Sequence, residues 1–105
     1  MAYQTTNPYT GETLKTFPDA TDAEVAQALE RGHAAFQQWR LKPVKERVTF
    51  LQKAADLLRA KRTEYAKLLT TEMGKLLAEA EAEVELSAAI LEYYVKHAEA
   101  ELAPQ

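Results

Sequence analysis

Apolar residues recur at helical spacing from Val25 to Leu102, and this stripe breaks only where helix-ending residues stand. Val25, Ala28, Leu29, Gly32, Phe36 and Trp39 fall on one side of a 3.6-residue helix. Val44, Val48, Leu51, Ala55, Leu58, Tyr65 and Leu69 form a second stripe, and Leu77, Ala80, Val84, Ala88, Leu91, Val95, Ala98 and Leu102 a third. Pro43 suits the first position of a helix, Gly74 suits the position just past the end of one, and Pro104 closes the last. The spacing predicts three amphipathic helices over about 21–40, 43–73 and 76–102. Short connections between them are those of an antiparallel helical hairpin assembly.

The first helix has an explicit start. Thr21 and Glu24 have the spacing of a capping box, and Asp22 adds negative charge to the first turn, where the helix dipole favours it. The run from Ala78 to Leu86 alternates apolar and charged residues as a strand would. Ala and Glu are strong helix formers and poor strand formers, and the helical stripe continues on both sides, so this stretch reads as helix.

Before the first helix the chemistry is different. Tyr3 to Thr6 and Thr13 to Phe17 are rich in Thr and aromatic residues, and Asn7-Pro8-Tyr9-Thr10-Gly11-Glu12 lies between them. Pro sets φ early in a turn and Gly accepts φ > 0 late in one, so the segment reads as a β-hairpin that Pro18 stops. A lone two-stranded ribbon is marginal in water and needs a surface to lie on. The fold class is therefore mainly α, with an N-terminal hairpin arm over 1–18 and a three-helix segment over 19–105.

A chain of 105 residues supports one small hydrophobic core, not a cofactor domain plus a substrate domain. With 47% apolar and 28% charged residues it has a globular composition. No uncharged apolar run approaches the roughly 20 residues that span a bilayer, and Met1-Ala2-Tyr3-Gln4 opens no secretory signal, so a cytoplasmic protein is expected. Cysteine is absent, which excludes disulfides and thiolate metal sites.

The net charge of −3 conceals two opposed segments. Arg40 to Lys67 carries nine basic residues against three acidic ones, and Glu72 to Glu101 carries eight glutamates against Lys75 and Lys96. Segments of opposite sign joined at Gly74 read as antiparallel neighbours, although exposed ion pairs contribute only about 0–1 kcal/mol each. Nucleic-acid binding is not expected, since the basic residues are spread around an amphipathic helix without interleaved aromatics.

Residues able to carry chemistry are few. His33 and His97 lack the i, i+4 histidine partner of a helical zinc site and read as helix-surface residues. Ser87 has no flanking nucleophile-elbow glycines and reads as a small packing residue. Glu81 and Glu85 share a face, but without His or Asp nearby they read as solvated acid. Gly11, Gly32 and Gly74 never cluster, so neither a dinucleotide fingerprint nor a phosphate loop is present. Trp39, Tyr93 and Tyr94 read as core or interface. No catalytic, cofactor-binding or metal residue is assigned.

Five strings together carry a family resemblance. Asn7-Pro8-Tyr9-Thr10-Gly11-Glu12 resembles the N-terminal turn of aldehyde dehydrogenases. Phe17 to Val25, Ala34-Ala35-Phe36 before Trp39-Arg40, Pro43 to Arg47 before Leu51, and Glu72-Met73-Gly74-Lys75 followed by Glu79-Ala80 and Glu83-Val84 are similar to that family in order and spacing. The combination is most similar to the succinate-semialdehyde dehydrogenase branch. The resemblance implies a parent enzyme, α/β as a whole, that oxidises an aldehyde to a carboxylate with NAD or NADP. In such enzymes a cysteine thiolate attacks the aldehyde, an asparagine and a backbone N–H hold the oxyanion, and a glutamate activates water. None of those motifs falls within the resembling stretch, so none is carried onto a residue here and the chain is expected to be inactive alone.

The resemblance also implies that the ribbon belongs to an arm of subunit association and that the helices help complete the shell of the cofactor domain. Its expected partners are further copies of itself or the remainder of the parent enzyme, with no nucleic acid and no membrane. A stand-alone helical interaction module is the alternative.

Overall fold

The computed structural model describes residues 2–104. Strands β1 (Tyr3–Thr6) and β2 (Thr13–Phe17) pair antiparallel, with Tyr3 opposite Phe17 and an irregularity between Thr5 and Thr6. Asn7 organises the connecting turn: its N–H donates to the Glu12 carbonyl at 2.9 Å and its carbonyl accepts from the Gly11 N–H at 2.8 Å. Its side chain also accepts from the Tyr9 N–H at 2.9 Å, an Asx turn. Gly11 adopts φ +74°, the positive value expected late in this turn.

Helix α1 spans Asp22–Trp39 and its capping box is complete. The Glu24 N–H donates to Thr21 Oγ1 at 3.2 Å, and the Thr21 N–H donates to Glu24 Oε2 at 2.8 Å. These backbone and hydroxyl donors hold the Glu24 carboxyl below its ordinary pKa.

The single helix expected over 43–73 is two helices, α2 (Val44–Ala60) and α3 (Arg62–Met73), so the described residues form four helices and not three. The break is confined to Lys61, at φ −109° and ψ 20°. The Lys61 N–H donates to the Leu57 carbonyl and its own carbonyl accepts from the Tyr65 N–H, so Lys61 closes the last turn of α2 and opens the first turn of α3. A straight rod of that length, crossing the final helix at an angle, diverges from it within a few turns. The bend lets both Ala55 of α2 and Ala66 of α3 bury against the same neighbour.

That neighbour is α4 (Leu77–Glu101), which packs along both α2 and α3. The core is small: Ala55, Ala66, Ala80, Val84 and Ala88 are buried. Alanines at the crossing let the helix backbones approach closely, and Ala80, Val84 and Ala88, each one turn apart, are the part of the third stripe that meets the partner helices. The oppositely charged flanks meet as expected. Arg59 of α2 pairs with both Glu85 and Glu92 of α4, while Lys75 pairs with Glu83 inside the acidic segment itself.

Helix α1 departs from expectation. The apolar side of an amphipathic helix ordinarily faces a core, yet none of its residues is buried: Leu29 is 71% exposed and Phe36 54%. Only its end is anchored, where Trp39 meets Phe50 of α2 edge to face at 5.1 Å between ring centroids. The chain is accordingly open. Its radius of gyration is 18.2 Å, against about 13 Å for a compact domain of this length. Its surface is 8451 Å², against about 5,900 Å² for a folded monomer of this mass.

Gly74 ends α3 in the left-handed conformation, φ +72°, with its N–H donating to the Thr70 carbonyl. A Cβ built there would lie 3.1 Å from Pro8 Cγ in the hairpin turn, whereas one at Gly11 would meet nothing within 4 Å. Gly74→Ala is therefore expected to cost about 1–2 kcal/mol for the backbone conformation, plus displacement of the Pro8 ring. Gly11→Ala should show the conformational cost alone. Urea unfolding of the two variants measures the difference, and equal losses would show that the turn does not rest on Gly74.

Candidate functional site

The residues singled out in the sequence do not converge. His33 lies exposed on α1, its Nε2 at 3.1 Å from the Gln37 side-chain nitrogen. His97 lies on α4, stacked on Tyr93 at 4.4 Å between centroids, and Tyr93 meets Tyr94 edge to face. Tyr93 donates to Glu101 Oε1 at 3.2 Å, and that carboxylate holds the phenol above its ordinary pKa. Ser87 is not the buried packing residue expected from its apolar neighbours. It is exposed, and its hydroxyl donates to the Glu83 carbonyl at 2.9 Å, the back-bonding usual for a serine in mid-helix. Glu81 and Glu85 are drawn to α3 and α2, Glu81 accepting from Thr63 Oγ1 at 3.4 Å and Glu85 from Arg59 Nε at 2.8 Å. Among the described residues no three His, Cys, Asp or Glu side chains are placed to hold a metal ion.

Two features built by the packing stand out instead. One is the fork of Arg59, whose Nη atoms donate to both Glu92 oxygens while Nε donates to Glu85. The paired carboxylates push the guanidinium pKa up, and hydrogen bonding to Arg59 holds Glu92 down from its ordinary 4.5. A carboxyl whose pKa is depressed by folding contributes stability above the unfolded-state value and loses it as pH falls through the folded value. The thermal midpoint is therefore expected to fall as pH drops below about 4.5, with a shallower slope in Glu92→Gln. Glu24, depressed by its cap, accounts for part of the remaining slope. An unchanged slope in the variant would deny Glu92 this role.

The second feature is an open groove of about 220 Å³ between the end of α1, the first turns of α2 and the last turns of α4. Val44, Val48 and Leu51 line its α2 side, Ala98 and Leu102 its α4 side, and Trp39 closes one end. Arg47 also lines it, and its Nε is buried with no hydrogen-bond partner among the described residues. Sequence reasoning did not single out Arg47. The available signal was its place between Val44 and Leu51, which sets a cation inside an apolar stripe.

A dinucleotide phosphate needs free backbone N–H groups at a helix start or an uncommitted cation. Every helix here opens with acid: Asp22 and Glu24, Glu46, Glu64 and Glu79 stand in the four first turns. The Arg59 guanidinium is committed to two carboxylates. The four helix starts and Arg59 therefore offer such a phosphate no seat, and Arg47, the half-buried cation without a carboxylate, sits among apolar walls.

The aldehyde dehydrogenase family model matches residues 1–105, and the chain belongs to that family. It is 46% identical over 103 residues to the NADP-dependent succinate-semialdehyde dehydrogenase of Deinococcus radiodurans, covering 98% of this chain and 22% of that protein. It is 44% identical over 105 residues to succinate-semialdehyde dehydrogenase [NADP(+)] 1 of Mycobacterium tuberculosis, covering 100% of this chain and 23% of that one. Among solved structures, succinic semialdehyde dehydrogenase from Streptococcus pyogenes, in complex with NADP+, superposes with a TM-score of 0.91 at 44% identity. That match covers 97% of this chain and 23% of the other. The chain thus spans less than a quarter of the length of these relatives and corresponds to their N-terminal part.

No helix among the described residues is long and apolar enough to cross a membrane.

Proposed function

We propose that the chain forms the N-terminal part of a cytoplasmic, NADP-dependent aldehyde dehydrogenase acting on succinate semialdehyde. Its role there is structural: residues 1–18 belong to an arm of subunit association and residues 19–105 to the shell of the cofactor domain. The observation that carries this is identity of 44–46% to succinate-semialdehyde dehydrogenases along the whole chain. The family's thiolate nucleophile cannot come from a stretch without cysteine, and the acidic helix starts disfavour a phosphate, which supports a nucleophile and a cofactor site outside this stretch. The exposed α1 stripe favours one accompanying property: when separated from the rest of such an enzyme, the chain associates with copies of itself.

The test is a chimaera in which this chain replaces the matching segment of the Deinococcus radiodurans enzyme. The chimaera should form NADPH from succinate semialdehyde within about tenfold of the parent rate, and the 105-residue chain alone should form none. Activity in the chain alone, or a folded chimaera without activity, would overturn the proposal.

A further inference from the structure

We infer that the groove holding Arg47 is a docking site for a polypeptide segment that presents an apolar side chain beside a carboxylate. That segment is supplied by the part of the family's chain outside these 105 residues, and in this the inference rests on the functional reading above. Four Lys and Arg side chains are half-buried among the described residues: Arg47 and Arg59 on α2, and Lys42 and Lys75 in the connections before α2 and α4. Three of them are paired within the chain, Lys42 with Glu46, Arg59 with Glu85 and Glu92, and Lys75 with Glu83. Arg47 has no carboxylate among the described residues, although its Nε is withdrawn from water. Arginine cannot neutralise itself by losing a proton, so a buried guanidinium N–H is satisfied by an acceptor or left at a cost. The walls beside it, Val48, Leu51 and Ala98, accept only apolar contact.

The setting of the site, more than its size, favours a polypeptide over a free carboxylic acid. A groove of about 220 Å³ is smaller than the roughly 300–1,000 Å³ of ordinary small-molecule pockets. It is also continuous with a larger uncovered face, because Trp39 belongs both to the groove and to the exposed stripe of α1. The surface beyond that of a compact monomer is roughly 2,500 Å², the scale of an extensive protein interface. An acidic residue over Arg47, flanked by an aliphatic or aromatic side chain between Val48 and Ala98, matches both the charge and the walls.

The chimaera described above provides the test, because it is a full-length chain. Hydrogen exchange read by mass spectrometry should show the peptide over 39–51 protected, and Arg47→Met should speed its exchange about 10- to 100-fold while Arg47→Lys restores part of the protection. A photo-crosslinking phenylalanine analogue in place of Leu51, with Arg47 intact, should form its adduct outside the 105 residues, within a few positions of an Asp or Glu. An adduct to a second copy of this segment, to a small molecule, to a stretch without acid, or to nothing would overturn the inference, as would unchanged exchange in Arg47→Met. An active chimaera with an uncovered groove defeats only the docking site. A folded but inactive chimaera defeats the functional reading, and the adduct still reports what occupies the groove.

Discussion

Val84→Asp is expected to abolish the cooperative unfolding transition of this chain, read by far-UV circular dichroism against temperature. Val84 is 4% exposed and is the one branched side chain in a core otherwise made of alanine. It stands between Ala80 and Ala88 on α4, where the approach of α2 and α3 leaves no room for water to hydrate a charge. The surroundings add no compensation. Glu81, Glu83 and Glu85 are its sequence neighbours, and the nearby cations Arg59 and Lys75 are already paired with carboxylates. An unpaired buried charge costs about 3–5 kcal/mol, a large fraction of the roughly 5–15 kcal/mol that holds an ordinary domain together. With so few buried residues to draw on, the chain has little margin. Val84→Ala removes only methyl groups and should cost about 1–3 kcal/mol, leaving a cooperative transition at lower temperature. A Val84→Asp midpoint close to the parent's would mean that the α2–α4 contact does not hold the fold.

Much of this architecture is legible in the residues, and the exceptions have physical causes. The hairpin, the capping box at Thr21, the stop at Gly74 and the long final helix follow from local chemistry, which depends on few neighbours. The bend at Lys61 leaves no such mark. No Pro or Gly stands there, and the stripe keeps its seven-residue step from Leu58 to Tyr65 across it. It arises from the need of α2 and α3 to follow one partner, a tertiary demand that propensity does not carry. The apolar face of α1 was equally plain in the sequence. A stripe states that a face is apolar and not what covers it, and here this chain supplies no cover.

The candidate site divides in the same way. The family strings are contiguous and therefore visible, from Asn7-Pro8 to Glu83-Val84. Pairing between α2 and α4 depends on antiparallel register. Opposed charge runs announced attraction, but only the packed helices single out Arg59 as the residue that meets both Glu85 and Glu92. Arg47 became informative once the other half-buried cations were seen to be paired. Ser87 misled because sequence neighbours on a helix are not neighbours in space: residues beside it point to different faces, and its own points to solvent.

Leu29→Glu combined with Phe36→Glu is expected to turn the chain, studied alone, from a self-associating species into a monomer without altering its fold. The two residues lie seven positions apart on the stripe of α1 and are 71% and 54% exposed. Burial of each against another copy gains about 1.5–3 kcal/mol, so losing both weakens association by about 100- to 10,000-fold. Like charges facing one another across a symmetric contact add to the loss. Folding is spared because α1 contributes no buried residue to the core. Sedimentation equilibrium should give the parent an average mass that rises with concentration above 11.8 kDa, and the double variant a constant mass at that value. The two circular dichroism spectra should superimpose at low concentration. A parent that stays monomeric into the high micromolar range would show that its open face is tolerated by water. A variant that still associates would place the contact on the hairpin or on α4, where Leu14, Leu86 and Ile90 are also exposed.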